Sequence, residues 1–201
     1  MSPSAAFYED IWVIVDDGVY EPADDTFMLC ANLDISPGEF MLELGTGCGL
    51  VAIVAARLGA QVIATDQSDI AVQNAKKNVA LHKYEGLVQI RQGNLFEPIR
   101  PTEKFSLLAF NPPYLPSTKK DSAFDPAWSG GNKGYEITER FLAQCIPYLQ
   151  GDGRLLLIQS SLSNPEHIQR QLEQLFFMVK VKEEKAFFFE RLILFEAQTP
   201  R

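Results

Sequence analysis

Two groups of residues have the types and spacing to do chemistry. The first is Glu43-Leu-Gly-Thr-Gly-Cys-Gly49, which joins an apolar run to a helical pattern. Its glycines, Gly45 and Gly47 among them, let the backbone turn sharply and approach a ligand closely. The spacing is G-x-G-x-G and departs from the G-x-G-x-x-G of dinucleotide-binding turns. Asp66 ends the next apolar run, where a carboxylate can accept both hydroxyls of a ribose. Glu43 adds a negative charge suited to a cationic ligand, one bearing an ammonium or sulfonium, and poorly suited to a pyrophosphate. A glycine turn flanked by two solvated carboxylates is the plain alternative.

The second group is Asn111-Pro112-Pro113-Tyr114, directly after a later apolar run. Asn111 offers a side-chain carbonyl, and the proline that follows holds its backbone extended so that the Pro112 carbonyl can face a pocket. Together they present two acceptors to the two hydrogens of a planar NH2 group, on which Tyr114 can stack. An ordinary proline turn ending a strand is the alternative. Its weight falls once the glycine loop, Asp66 and N-P-P-Y stand at consecutive strand ends.

The elements that must position these groups follow from periodicity. Apolar runs bounded by turn residues, at 40–44, 61–65, 87–92, 105–110 and 154–159, read as buried strands. Helical spacing lies between them at 50–58, at 69–82 behind a Ser68 cap, and at 135–149, where Pro147 should shorten the end. A further helix at 167–175 precedes β-rich runs at 176–181 and 187–196, which should pair as a hairpin and add one antiparallel member. A short strand at 11–15 and a helix at 22–33 come before the first of these strands. The pattern predicts an α/β fold: a Rossmann-like, seven-stranded, mostly parallel sheet with helices on both faces. The stretch 112–134, rich in Pro, Ser, Gly, Asn and Lys, is long for a connection and reads as a functional loop.

Composition bounds the rest. The 201 residues suit one domain, expected to span 1–201 with an N-terminal extension, 1–36, over the ligand site. With 46% hydrophobic and 22% charged residues, disorder, collagen and coiled coil are set aside. A formal charge of −8 disfavours a polyanion held by counterion release, so a nucleic-acid partner is not expected. Cys30, Cys48 and Cys145 are far apart and lack C-x-x-C spacing, and the only histidines are His82 and His167, so neither disulfides nor a metal site is expected. No apolar run approaches a membrane span and the N-terminus lacks a signal-peptide pattern, which predicts a cytoplasmic chain.

At this point the sequence resembles a family. The E-L-G-T-G-C-G loop, Asp66 and N-P-P-Y look like those of class I methyltransferases that use S-adenosyl-L-methionine (AdoMet) to modify planar NH2 nitrogens. More narrowly, Val19-Tyr-Glu-Pro-Ala-Asp-Asp-Thr26 and Ala127-Trp-Ser-Gly-Gly131 are similar to motifs of the archaeal and eukaryotic HemK-type glutamine methyltransferases, which act on the Gly-Gly-Gln motif of class I release factors. The resemblance implies that Thr26, Glu43 and Gly45 line the methionine end of AdoMet, that Gly47 also binds the cofactor, that Asp66 holds the ribose, and that Asn94-Leu95 sits at the adenine. Asn94 stands where the family usually has Asp, and Asp24 where it often has Glu. Asn111, Pro112 and Tyr114 would orient the acceptor amide, with catalysis by positioning and electrostatics. Glu21 and Asp25 are candidate late proton acceptors. The resemblance also implies a small zinc-containing methyltransferase-activator subunit. The strand at 87–92, expected at the sheet edge with Leu87, Val88 and Ile90 exposed, would receive it.

Other features invite plainer readings. Phe187-Phe-Phe189 and Phe176-Phe177 read as sheet core. Lys119-Lys120 reads as solvated loop, and Trp128 as a packing anchor or a closure over the pocket. Two competing functions stay open: an N-methyltransferase acting on a DNA or RNA base, whose exocyclic amine also suits N-P-P-Y, and a non-enzymatic AdoMet-binding module. Lysine methylation as a side activity would need a base that this pocket does not offer.

Overall fold

The computed structural model describes residues 3–114, 131 and 133–200. The chain runs β1 (Ser4–Tyr8), β2 (Ile11–Val15), α1 (Asp24–Ala31), β3 (Phe40–Leu44), α2 (Leu50–Arg57), β4 (Gln61–Asp66), α3 (Asp69–Leu81), β5 (Val88–Gln92), β6 (Phe105–Phe110), α4 (Glu136–Cys145), β7 (Leu149–Ser160), α5 (Pro165–Leu175), β8 (Met178–Ala186) and β9 (Arg191–Gln198). Seven strands form one sheet in the order β5-β4-β3-β6-β7-β9-β8. All are parallel except β9, which pairs antiparallel with both β7 and β8. The predicted architecture is therefore the observed one.

Alternation along the strands divides the core. Met41 of β3 and Leu107 of β6 pack with α1, α2 and α3 on one face. Leu42, Leu44 and Phe110 pack with Phe141 of α4 and Ile168 and Leu172 of α5 on the other. Phe141 is the pivot of the second face, with its ring against Phe96 and Phe110. Pro147 lies in a single turn of 3-10 helix after Cys145, so it shortens α4 as its ring requires. Ser68 caps α3, accepting from the Ala71 N–H.

Four expectations need correction. Ser4–Tyr8 forms a strand that the sequence reading left out, paired with β2 as a separate hairpin. The turn of the β8–β9 hairpin falls at 187–190, closed by Phe187 N–H donating to the Glu190 carbonyl at 2.7 Å. Phe188 is 91% exposed and Phe189 84%, and Phe177 is exposed too, so of the five phenylalanines read as core only Phe176 is buried. Aromatic β-propensity masked a turn that contains no Gly, Pro, Asn or Asp. At the β5 edge, Val88 is buried and Ile90 packs against the core; of the three apolar residues expected on the edge, Leu87 alone is exposed.

The three cysteines are free and buried. Among the described residues no helix is long and apolar enough to cross a membrane, and no cluster of three metal-ligating side chains occurs. Lys119, Lys120 and Trp128 lie outside the described residues, as does the Ala127-Trp-Ser-Gly-Gly131 motif except for its last glycine.

Candidate active site

The parallel strands β3, β4, β5 and β6 all end at one edge, and a cleft of about 420 Å³ opens there. It is lined by the glycine loop, Asp66, Asn94-Leu95, the N-P-P-Y segment and residues 18–20 and 22 of the N-terminal segment, with Asp25 and Thr26 of α1. Thr26, Glu43, Gly45, Gly47, Asp66, Asn94, Leu95, Asn111, Pro112 and Tyr114 thus all border one space.

On the β3–β4 side the polar groups already have protein partners. Gly47 N–H donates to Asp66 Oδ2 at 3.0 Å and Ser68 N–H to Oδ1 at 2.9 Å, which fixes the carboxylate at the tip of β4. Each oxygen keeps a lone pair free for a further donor. Gly47 has φ of +56°, and a Cβ there would meet nothing within 4 Å, so the loop leaves open space in front of it. Glu43 is 3% exposed and accepts from Thr46 Oγ1 at 2.8 Å. Burial pushes its pKa up to about 8, the Thr46 bond opposes this, and the nearby Asp66 charge adds to it. Burial also raises Asp66, against the two backbone donors. A ligand bringing a positive charge and ribose-like hydroxyls fits this donor and acceptor set.

The N-P-P-Y corner differs. Asn111 Oδ1 is buried with no hydrogen-bond partner, one of two such side-chain atoms among the described residues; the other is Glu190 Oε1. Leaving a buried acceptor unpaired costs on the order of 1–3 kcal/mol, so a partner from outside the chain is called for. Tyr114 is buried, and its hydroxyl donates to Asp25 Oδ2 at 2.9 Å. Tyr20 donates to the same carboxylate, and Thr26 reaches Oδ1 through its backbone N–H at 2.6 Å and its hydroxyl at 3.2 Å. Burial first, then the Asp25 charge, pushes both tyrosine pKa values far up, so both hydroxyls stay protonated donors. Four donor groups occupy Asp25, and Glu21 is exposed outside the cleft lining. Neither fits the proton-acceptor role expected from sequence; Asp25 instead anchors Tyr114.

Sequence reasoning also missed Asn74 and Asn78, which are fully buried on α3. Asn78 accepts from Ile14 N–H at 2.9 Å and donates to the carbonyls of Ile14 and Cys48 at 2.7 and 2.8 Å. Asn74 bonds Asp16 N–H and the Ile14 carbonyl. These amides tie β2 to the glycine loop and so set the segment Gly18–Tyr20 over the cleft. Two asparagines at helical spacing i, i+4 in an otherwise apolar stripe were the available signal.

This strand order, with a carboxylate at the tip of β4 and N-P-P-Y at the tip of β6, defines a class I methyltransferase. The methyltransferase small domain model matches residues 11–189. A relative from Methanocaldococcus jannaschii, named as a protein N5-glutamine methyltransferase, is 36% identical over 183 residues, covering 89% of this chain and 91% of its own. Methyltransferase HEMK2 of Homo sapiens is 33% identical over 163 residues, 75% of each chain. Among solved structures, the E. cuniculi Mtq2–Trm112 complex, responsible for methylation of the eRF1 translation termination factor, superposes with a TM-score of 0.73 at 23% identity, covering 90% of this chain and 99% of that one. The chain belongs to the methyltransferase small domain family and, within it, to the protein N5-glutamine methyltransferases.

Proposed function

We propose that this chain transfers a methyl group from AdoMet to the side-chain amide nitrogen of the glutamine in the Gly-Gly-Gln motif of a class I release factor. The observation that carries the reading is the unpaired, buried Asn111 Oδ1 beside a cleft whose other end is furnished for a cationic nucleoside. Thr26, Glu43, Gly45 and Gly47 would hold the methionine end, Asp66 the ribose and Asn94-Leu95 the adenine, and the amide oxygen of Asn94 can still accept from an exocyclic amine. The extension 1–36 would close over that ligand. When bound, AdoMet supplies an electrophilic methyl group on a sulfonium.

The chain's own residues supply orientation. Asn111 Oδ1 and the Pro112 carbonyl take the two amide hydrogens, hold the NH2 plane, and favour the positive charge that develops on nitrogen. Tyr114, fixed by Asp25, forms the wall against which that plane rests. An N-methylated amide cation is a strong acid and gives its proton to water, so no dedicated base is required. A nucleobase amine would meet the same corner. The charge of −8 and the names of the relatives favour a protein acceptor.

A small zinc-containing activator subunit on the β5 edge belongs to the same reading. The two sheet edges differ: β8 is lined with Lys180, Lys182 and Lys185 in ion pairs, while β5 carries an exposed Gln89 and a single ion pair, Arg91 with Glu103 of the following loop. Near the start of β5, Leu87, Leu81 and Trp12 are exposed, and Trp12 packs on His82. Such a subunit would add a strand there.

The test is incubation with methyl-labelled AdoMet and three acceptors: a release factor, its Gln→Ala form, and DNA. Label only in the first is expected. Label in the Gln→Ala form or in DNA would contradict the reading.

A further inference from the structure

The second unpaired buried atom, Glu190 Oε1, belongs to none of the machinery above. It sits in the β8–β9 turn, just before β9 begins at Arg191. Leu192 is in register with Ser160, the last residue of β7, so this turn lies at the same sheet edge as the cleft. Asn111 follows the last residue of β6, and β6 and β9 both flank β7. Two strand spacings, about 10 Å, therefore separate Glu190 from Asn111 along that edge. Lys185, at the end of β8, pairs with Asp24 at the start of α1, which swings the hairpin tip toward Asp25 and its two tyrosines. Glu190 is also among the negative charges that raise the Tyr20 and Tyr114 hydroxyls.

The same turn carries the most exposed aromatic pair on the described surface. Phe188 and Phe189 pack edge to face on each other, centroids 4.5 Å apart, and otherwise face solvent. A β-turn bearing two large apolar side chains outward and an unpaired carboxylate oxygen inward, at the sheet edge where the cleft opens, has the anatomy of a recognition element: an apolar anchor next to a directional polar contact. A glutamine side chain spans about 5 Å from its Cα to its amide nitrogen, by ordinary bond lengths. With that nitrogen at Asn111, the glutamine Cα lies within about 5 Å of it, which leaves room for the peptide backbone to pass between Asn111 and Glu190.

We infer that the turn Phe187-Phe-Phe-Glu190 is the docking element for the protein substrate: Glu190 Oε1 accepts a backbone N–H of the loop carrying the methyl-accepting glutamine, and Phe188 and Phe189 seat on apolar surface beside that loop. The inference rests on the glutamine-methylation reading and assigns its specificity to a part of the chain remote in sequence from N-P-P-Y. The role is positioning, since Glu190 touches the substrate backbone and not the reacting atoms.

The test compares kcat and KM for a release factor in the full-length chain and in three variants: Glu190→Ala, Glu190→Gln and the double variant Phe188→Ser/Phe189→Ser. Glu190→Ala and the double variant should each raise KM for the release factor by at least about tenfold, the loss of one hot-spot contact. In both, kcat should change less and AdoMet affinity not at all. Glu190→Gln keeps an acceptor oxygen and should recover most of the loss. The double variant alters only exposed side chains, so it reports even if Glu190→Ala fails to fold. A parental KM in the double variant would overturn the inference, as would a shift in self-association without a change in KM. If the unaltered chain methylates no release factor, both the reading and the inference fall; if it does and KM is insensitive, the inference alone falls.

Discussion

The two ends of the cleft are built on opposite plans. At the glycine-loop end both carboxylates have protein donors: Asp66 takes two backbone N–H groups and Glu43 takes the Thr46 hydroxyl. At the N-P-P-Y end, Asn111 Oδ1 is buried and unpaired, and a second unpaired oxygen, on Glu190, lies along the same edge. A prearranged charge site binds a small ligand without reorganising. The other end presents an acceptor that an incoming donor can complete. Under the proposed function, cofactor recognition is stored in the folded chain and acceptor recognition is shared with the substrate.

The largest effect is expected at Asn111. Asn111→Ala should lower turnover by at least about a hundredfold, as when an oriented contact to the reacting group is lost, and calorimetry should find AdoMet affinity changed much less. Normal turnover in this variant would end the N-P-P-Y mechanism.

At the other end the split should reverse. Asp66→Ala should weaken AdoMet by about 1–3 kcal/mol, the cost of leaving ribose hydroxyls without a charged acceptor. Equal affinity in the two proteins would remove Asp66 from that role.

Asn78 tests the scaffold that the two ends share. Asn78→Ala strands the Ile14 N–H and the Cys48 carbonyl, leaves the Ile14 carbonyl to Asn74 alone, and should lower unfolding free energy by about 1–3 kcal/mol in a denaturant titration. A variant as stable as the parent would show that β2 is held without this clamp.

The smallest effect concerns pH. Glu43 has a folded pKa near 8, against 4.5 ordinarily. The folded state therefore binds the extra proton between these values. The stability this contributes is complete below the ordinary carboxylate range and is lost as pH rises through about 8. A cationic ligand favours the ionised form, so AdoMet affinity should rise from pH 6 to 8, by less than about tenfold per unit, the ceiling for one coupled proton. Calorimetry in buffers of different ionisation enthalpy should show proton release on binding. Glu43→Gln should flatten the profile; a profile unchanged by that substitution would assign the proton elsewhere.

The two ends also differ in how far sequence exposes them. The glycine loop, Asp66 and N-P-P-Y are each a short local pattern at the end of an apolar run, and parallel strands bring such ends to one edge. Their convergence could therefore be read before any coordinates. Glu190 could not, because it reaches that edge only through the antiparallel return of β9, and its turn carries none of the residues that signal turns. The phenylalanines beside it were misread for the same reason. Asp25 was visible, but its occupation by Tyr20, Tyr114 and Thr26 depends on burial and distance, which spacing does not encode. The Asn74–Asn78 clamp had a signal in its spacing but not a partner, since β2 lies about sixty residues earlier.

In the proposed function Asn111 Oδ1 is completed by the amide of the acceptor. The most direct test is a structure of the chain with the demethylated product of AdoMet and a peptide containing Gly-Gly-Gln. In that complex the glutamine amide nitrogen is expected about 2.7–3.2 Å from Asn111 Oδ1, with its second hydrogen on the Pro112 carbonyl. A peptide bound with its glutamine outside the cleft, or an Asn111 Oδ1 still unpaired in the complex, would contradict it.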